Sequence, residues 1–79
     1  MARVRLFAAA REAAGTARDE LPGDTVAEVL DAAGRRYGPH FVEILDTCRV
    51  WRNGEPAEGD DPVGPADEVA ILPPVSGGA

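Results

Sequence analysis

The closing stretch of the chain, residues 73–79, holds the one group whose placement suits chemistry: a backbone terminus behind two glycines. Pro73 and Pro74 fix φ and favour an extended exit from the preceding segment, whereas Gly77 and Gly78 carry no Cβ and adopt almost any backbone conformation. Fully extended, the stretch reaches about 23 Å, enough to enter a narrow active site on another protein. A frayed terminus has the same composition, and the tail alone does not separate these two interpretations.

The side chains offer no second centre of chemistry. One cysteine, Cys48, and one histidine, His40, are too few for a metal-ligand cluster. We expect Cys48 to be a small buried apolar side chain rather than a sulfur relay, and His40 to lie in a turn. Asp60 and Asp61 are expected in a solvated loop. No Gly-rich phosphate loop follows a predicted strand, so we predict no intrinsic active site, no metal and no bound cofactor.

The composition is acidic, with a net charge of −6 and 14 carboxylate side chains scattered along the chain. Because phosphate binding needs a basic patch, this charge argues against nucleic acid as a partner and favours proteins with a basic docking face. All eight basic residues are arginine. The chain therefore has no side-chain amine that could attack an activated terminus on the same molecule or on a copy of it.

Length and composition indicate one small domain. At 79 residues, with 44% hydrophobic and 28% charged residues, the chain predicts a single fold with a limited core. The lone cysteine excludes an internal disulfide framework and fits a reducing compartment. No apolar run approaches membrane-spanning length and the start of the sequence has no signal-peptide pattern, so we expect a cytoplasmic protein without a membrane partner.

Alternating polarity predicts the first strand at residues 3–8. The side chains expected to face the core are Val4, Leu6 and Ala8, and those expected on the opposite face are Arg3, Arg5 and Phe7. Residues 9–15 are alanine-rich and predict one helical turn. Residues 16–21 are typical of a short polar edge strand, which Pro22 and Gly23 stop.

A helix is predicted from residues 24–28 onward, where Thr25 and Glu28 have the spacing that satisfies the free amides of a first turn. Its apolar stripe consists of Val26, Val29, Leu30, Ala33 and Tyr37. Gly38 and Pro39 end it. Residues 41–45 predict a second short helix that closes the core.

The second half of the chain predicts a hairpin at Asn53 and Gly54, since both residues tolerate the positive φ of a type I′ turn. Val69 and Ile71 should face the core from the last strand, with Ala70 and Leu72 on its other face. The remaining predicted elements are a strand at 48–52, a return strand at 55–57, a loop at 58–68 and the last strand at 69–72.

This order of elements predicts an α+β fold in which a mixed sheet of four to five strands packs on one main helix. The helix can serve as a right-handed crossover, which allows the first and last strands to pair in parallel at the centre of the sheet. That arrangement is the β-grasp, or ubiquitin-like, fold. We assign residues 1–72 to the β-grasp domain and residues 73–79 to a flexible C-terminal tail.

A candidate interaction surface follows from this arrangement. Phe7, Trp51, Ala70 and Leu72 are predicted to point away from the helix on neighbouring strands, beside the root of the tail and next to Arg5. Exposed apolar patches of this kind mark interfaces, and this one could guide the tail into a partner. The alternative is that neighbouring arginines partly shield Phe7 and Trp51.

Four sequence motifs resemble the ubiquitin-like sulfur carriers of the MoaD/ThiS family, and together they span nearly the whole chain. They are VRLFA at 4–8, REAAG at 11–15, TVAEVL at 25–30 and DEVAILPPVSGG at 67–78. The last motif is the specific one. It is most similar to the ending of the small subunit of molybdopterin synthase, with Leu72 standing where that subunit has an aromatic residue.

The resemblance implies a carrier rather than an enzyme. In this family a ubiquitin-activating-like adenylyltransferase uses ATP to adenylate the terminal glycine, which becomes a thiocarboxylate, and a synthase then takes the sulfur. By resemblance Gly78 carries the sulfur, and Gly77, Ser76, Val75 and Pro74 thread the partner's channel. No cofactor is bound, because the activating enzyme uses the ATP.

Ala79 departs from the family pattern because it follows the diglycine. We expect a peptidase to remove it before activation; the rival expectation is that the activating enzyme tolerates it. Other functions also remain open at this point. They are a carrier that supplies sulfur to cysteine, thiamine or thiosugar synthesis, a ubiquitin-like tag conjugated to lysines of target proteins, and a passive ubiquitin-like binding module.

Overall fold

A computed structural model of the chain describes residues 1–74. In chain order its elements are β1 (Ala2–Leu6), α1 (Ala8–Ala14), β2 (Arg18–Leu21), α2 (Val26–Tyr37), α3 (Pro39–Leu45), β3 (Arg49–Arg52), β4 (Glu55–Pro56) and β5 (Glu68–Leu72). Within the described range, none of the helices has the length and apolar character needed to cross a membrane.

The five strands form one sheet in the order β2-β1-β5-β3-β4. At its centre β5 runs parallel to β1 and antiparallel to β3, while β2 and β4 are antiparallel edge strands. The parallel pairing of the first and last strands requires a crossover connection, and the helices between β2 and β3 lie on that connection. The predicted α+β, β-grasp fold is therefore confirmed.

One face of the sheet and the helices enclose the core. On α2, the predicted stripe places Val26, Val29 and Ala33 in full burial, and Phe41 of α3 closes the core at 0% exposure. The sheet contributes the alternate residues that the pattern predicts on β1 and β5. The complete set of buried side chains is Ala2, Val4, Leu6, Ala10, Leu21, Val26, Val29, Ala33, Phe41, Val63, Val69 and Ile71.

The first strand is shorter than predicted. It ends at Leu6, and Ala8, which we expected to face the core, is exposed, has a φ of 52° and begins α1. The Phe7 carbonyl accepts hydrogen bonds from the amides of Ala10 and Arg11 at 3.1 and 3.4 Å, so the chain turns into a helix directly after the strand. The helix has seven residues instead of one turn because Ala10 packs into the core.

The start of α2 follows the predicted capping pattern. Thr25 is the N-cap, and its hydroxyl oxygen accepts a hydrogen bond from the Glu28 amide at 3.2 Å. The Glu28 carboxylate reaches back to the amide of Asp24 at 2.8 Å, one residue before the N-cap. Two amides near this helix end are thus satisfied by side chains close in sequence.

Backbone carbonyls of the predicted loop satisfy two more amides of α2. The Asp61 carbonyl accepts from Val26 at 2.9 Å, and the Gly59 carbonyl accepts from Ala27 at 2.8 Å. These are among the amides that a helix leaves without an internal partner. The loop between β4 and β5 is irregular, as predicted, but it is also a cap for the main helix.

The predicted hairpin is confirmed, since Asn53 and Gly54 have φ values of 52° and 85° and connect β3 to β4. β4 has only two residues. Cys48, expected within the strand, instead precedes β3 and still packs against the core.

The outer edge of β2 is closed by side chains. The amide of Leu6 donates to the carbonyl of Ala17 at 2.9 Å, so along this antiparallel pair the backbone groups of Arg18 and Glu20 point away from β1. The Thr16 hydroxyl accepts from the Arg18 amide at 3.3 Å and donates to the Arg18 carbonyl at 2.9 Å. The Asp19 carboxylate accepts from the Glu20 amide at 2.8 Å.

Gly23, in the connection between β2 and α2, provides a test of the packing. Its φ is 143°, and a Cβ there would lie 2.7 Å from the Val29 amide nitrogen. Gly15 also has a positive φ, of 79°, but a Cβ there would meet open space. We expect Gly23→Ala to lower the free energy of unfolding by about 3 kcal/mol, since strain and a backbone clash add, and Gly15→Ala by about 1 kcal/mol.

Urea denaturation of both variants measures this difference. Equal losses of stability in the two variants would show that the contact between residue 23 and α2 is not close.

Candidate functional site

The root of the predicted tail lies at the centre of the sheet. β5 ends at Leu72, and the last backbone contact from β1 to this strand is the hydrogen bond from the Phe7 amide to the Ile71 carbonyl, at 3.1 Å. Pro73 and Pro74 follow and are exposed. Because proline has no amide hydrogen, neither residue can extend the ladder. The chain therefore leaves the sheet at the end of β5, between β1 and β3.

Most of the predicted tail residues fall beyond this point. Of the residues expected to thread a partner's channel, only Pro74 belongs to the part of the chain that the structure describes. Val75, Ser76, Gly77 and Gly78 lie outside it, as does Ala79. Their roles, including that of Gly78 as the sulfur-bearing residue, stay predictions.

The structure brings the five predicted surface residues together on the outer face of the sheet. Ala70 of β5 is in register with Arg5 of β1 on one side and with Trp51 of β3 on the other. Leu72 lies two residues further along the same face, and Phe7 follows Arg5 at the end of β1. We call these five residues, Arg5, Phe7, Trp51, Ala70 and Leu72, the outer patch.

The outer patch is half-buried rather than fully exposed. The guanidinium carbon of Arg5 lies 5.2 Å from the centre of the Phe7 ring, a cation–π distance. Trp51 is half-buried as well, with Ala70 and Pro56 as its register partners across the sheet. An arginine thus partly covers Phe7, as the shielding interpretation expects, and the patch still presents a continuous surface beside the tail root. Its role as an interface stays a prediction.

Cys48 does not have the features of a reactive thiol. It is half-buried, and its Sγ donates to the Ile44 carbonyl at 3.2 Å. Burial raises the pKa of the Cys48 thiol, so the uncharged form is favoured at neutral pH. The thiolate is the nucleophilic form, and these surroundings favour the predicted role of a small packed side chain over a sulfur relay.

The other side chains considered as candidates are dispersed. His40, expected in a turn, belongs to the first turn of α3 and is exposed, because α3 begins at Pro39 rather than at residue 41. The Asp61 carboxylate accepts from the Glu58 amide at 2.9 Å and so organises its own loop. Among residues 1–74, no three His, Cys, Asp or Glu side chains are grouped in a way that could hold a metal ion.

One polar cluster was not predicted from the sequence. The Tyr37 hydroxyl at the end of α2 donates to Oδ2 of Asp19 on β2 at 2.5 Å, and Nε of Arg36 lies 2.8 Å from the same oxygen. The Tyr37 hydrogen bond lowers the pKa of the Asp19 carboxyl. Burial is the largest cause of a raised Tyr37 pKa, and the hydrogen bond to Asp19 is the second largest. These three residues connect α2 to the edge strand β2. The spacing of residues along the sequence does not predict this cluster.

A second unpredicted link fastens the start of β5. The Asn53 side chain donates to the Asp67 carboxylate at 2.9 Å and accepts from the Glu68 amide at 2.9 Å. The Asp67 carboxylate also accepts from the Gly64 amide at 2.8 Å. The hydrogen bond from Asn53 is the main cause of a lowered Asp67 pKa. The hairpin turn therefore also positions the strand that carries the tail.

Comparisons with known proteins agree with this geometry. The model of the ThiS family matches residues 4–78. Small archaeal modifier protein 1 of Haloferax volcanii is 40% identical over 85 aligned residues, which cover 94% of this chain and 97% of that protein.

Two solved structures extend the comparison. The solution structure of small archaeal modifier protein 1 from Methanosarcina acetivorans is 33% identical with a TM-score of 0.84, covering 98% of this chain and 95% of that one. A Pyrococcus furiosus structure described as molybdopterin converting factor, subunit 1, is 27% identical with a TM-score of 0.81, covering 94% and 97% of the two chains.

The cluster of Tyr37, Asp19 and Arg36 predicts a pH-dependent stability. A carboxyl whose pKa is lowered by folding stabilises the fold above its ordinary pKa, near 3.8, and loses that contribution as the pH falls below it. We expect Tyr37→Phe to lower the free energy of unfolding by about 1–2 kcal/mol at pH 7, and by less near pH 2, because protonation of Asp19 becomes progressively more favourable as the pH falls below 3.8.

Denaturation of both proteins at the two pH values tests this expectation, with Asp19→Asn as the matched partner variant. If Tyr37→Phe costs the same at both pH values, the hydrogen bond to the charged carboxylate is not the source of the stability.

Proposed function

The chain belongs to the ThiS family of ubiquitin-like sulfur carriers, and from that premise we propose that it carries sulfur as a thiocarboxylate on Gly78. The observation that carries the proposal is the position of the tail root. Pro73 and Pro74 are exposed and directly follow the central strand β5, which is paired on both sides. In the sequence the diglycine follows within a few residues. A terminus held in this way can reach an active site while the domain stays docked outside it.

The chemistry requires an activating enzyme. A carboxylate is a poor electrophile, so one of its oxygens first attacks the α-phosphorus of ATP and pyrophosphate leaves. Hydrosulfide then attacks the acyl carbon of the adenylate and AMP leaves, so that sulfur replaces one carboxylate oxygen. Glycine at positions 77 and 78 offers the least steric hindrance to both steps. The adenylyltransferase supplies the ATP chemistry, and the carrier supplies reach and docking.

Ala79 must be dealt with before this reaction. Its methyl group would crowd a slot fitted to glycine, and its own carboxylate would otherwise be the group activated. We propose that a peptidase removes Ala79, which exposes the carboxylate of Gly78. The proposed location is the cytoplasm, where ATP and the activating enzyme are available.

Two uses of the activated terminus are supported by different relatives. The Pyrococcus furiosus structure described as molybdopterin converting factor, subunit 1, supports sulfur donation to a molybdopterin synthase large subunit, in molybdenum cofactor biosynthesis. The name of the Haloferax volcanii relative, a modifier protein, supports attachment to target proteins. We propose the synthase role first, because the closing motif resembles that subunit, and protein modification as the second candidate.

The outer patch serves either use. The patch lies on the outer face of the sheet and includes Leu72, the last residue of β5 before the tail. An enzyme that covers this face would be aligned with the strand that points into its active site.

One prediction of the proposed function concerns activation. We expect the version that ends at Gly78 to be converted to a thiocarboxylate by its activating enzyme with ATP and a sulfur source, and the version that retains Ala79 to be converted poorly. Intact-mass spectrometry detects the exchange of one oxygen for one sulfur. Equal yields from the two versions would contradict the need for a peptidase.

The same reaction separates the candidate functions. Exchange of oxygen for sulfur supports a carrier, and isopeptide-linked adducts with added proteins support a modifier. If neither product forms with a competent activating enzyme, the proposed function is wrong and the domain is a passive binding module.

Another prediction of the proposed function concerns docking. We expect Trp51→Asp to raise the KM for the carrier in the activation reaction about thirtyfold, the effect of losing about 2 kcal/mol from a central aromatic contact. Val42→Asp is the matched control, since Val42 is an apolar side chain, 42% exposed, on α3 and away from the sheet. Thermal unfolding must show that both variants are folded. An unchanged KM for Trp51→Asp would remove the outer patch from the interface.

A further inference from the structure

Two arginines face each other directly on the outer face of the sheet. Arg5 of β1 and Arg18 of β2 are register partners. The hydrogen bond from the Leu6 amide to the Ala17 carbonyl identifies the adjacent pair as hydrogen-bonded, so Arg5 and Arg18 form a non-hydrogen-bonded pair, in which opposite side chains are closest. Like charges directly opposite each other destabilise a sheet.

Within residues 1–74, neither Arg5 nor Arg18 forms an ion pair with an acidic side chain. The ion pairs in this part of the chain involve Arg35 and Arg36, not Arg5 or Arg18. The nearest glutamates on this face, Glu20 and Glu68, are the register partners of Arg3 in the next row. Within the described residues, Arg5 and Arg18 therefore face each other without an ion-pair partner of their own.

The surface above this pair is concave. A groove of about 600 Å³ lies here. Its lining residues are Arg3, Arg5, Arg18, Glu20 and Glu68, whose side chains face outward, together with Val4 and Asp19. Arg5 itself belongs to the outer patch, and Ala70 of that patch is its register partner on β5. The groove and the outer patch thus form one continuous surface.

We propose that Arg5 and Arg18 together bind a carboxylate side chain of the activating enzyme when that enzyme covers the outer patch. This inference rests on the proposed function for the identity of the partner. Paired guanidinium groups match the oxygens of a carboxylate and make strong charge-assisted hydrogen bonds. The stability lost to repulsion in the free carrier is recovered when the anion arrives.

The surroundings favour a protein carboxylate over a nucleic acid. Glu20 and Glu68 border the groove and would repel the phosphates of a nucleic acid, which are fixed in its backbone, whereas a peptide can turn one side-chain carboxylate toward the arginines and the others away. Overall charge predicted partners with a basic face, yet four of the eight arginines, and only two of the 14 carboxylates, lie on the outer face of the strands. The fourth, Arg49, is in register with Leu72 on the other side of the outer patch. The matching partner surface is apolar with acidic residues at its margin.

A direct titration tests the site without any activation step. The probe is acetylated hexaglutamate amide, added to the isotope-labelled carrier at low salt, with hexaglutamine amide as the uncharged control and a thymidine hexanucleotide as the phosphate control. We expect shifts in the arginine side-chain and amide signals of β1 and β2. The Arg5→Gln/Arg18→Gln variant should weaken hexaglutamate binding about tenfold. Arg11→Gln/Arg35→Gln, which removes the same charge from exposed helical positions, should leave it unchanged.

The activation reaction provides the second test. Arg5→Gln/Arg18→Gln should raise the KM for the carrier about tenfold with kcat unchanged, and the KM of the variant should depend less on salt than that of the wild type. The variant should also unfold about 1–5 °C higher than the wild type at low salt, because the repulsion is gone.

Three results would overturn the proposal. These are an equal loss of hexaglutamate binding in the two double variants, tighter binding of the oligonucleotide than of the peptide, and an unchanged KM in the activation reaction. In each case a normal thiocarboxylate yield would leave the proposed function standing, so the two failures can be told apart.

Discussion

The pairing of β5 on both edges is the constraint on which the rest of the molecule depends. Hydrogen bonds to β1 on one side and to β3 on the other hold this strand, and the buried side chains of Val69 and Ile71 fix its face. β1 and β5 are far apart in sequence, so their pairing is a long-range contact that closes a loop containing the intervening helices and hairpin. The position of the tail root is thereby a property of the whole fold rather than of its last residues.

Irregular segments contribute to the same constraint. Carbonyl oxygens of the loop before β5 accept hydrogen bonds from the first amides of α2, and Asn53 connects the hairpin turn to Asp67 and Glu68 at the start of β5. A segment with the composition of a solvated loop thus links the main helix to the central strand. Substitutions there are expected to act on the geometry of the tail root as well as on local structure.

Much of the fold could be predicted because its signals are local. The capping residues and apolar stripe of α2, the hairpin at Asn53 and Gly54, and the alternation on β5 each depend on neighbours in sequence. The early end of β1 was missed because the decisive factor, burial of Ala10, is a tertiary contact. The cluster of Tyr37, Asp19 and Arg36 and the opposition of Arg5 and Arg18 require the register between elements, which periodicity alone does not provide. Net charge is a sum over all faces, so it does not show that four of the eight arginines lie on the outer face of the strands.

The side-chain hydrogen bonds along the outer edge of β2 have a consequence for self-association of the domain. The side chains of Thr16 and Asp19 bind the amide and carbonyl of Arg18 and the amide of Glu20, three backbone groups that could otherwise pair with an extended strand from another chain. This edge is thereby less available for strand addition by a second copy of the chain. Fewer free backbone groups along β2 lower the tendency of the domain to build fibrils by edge-to-edge pairing when it is concentrated.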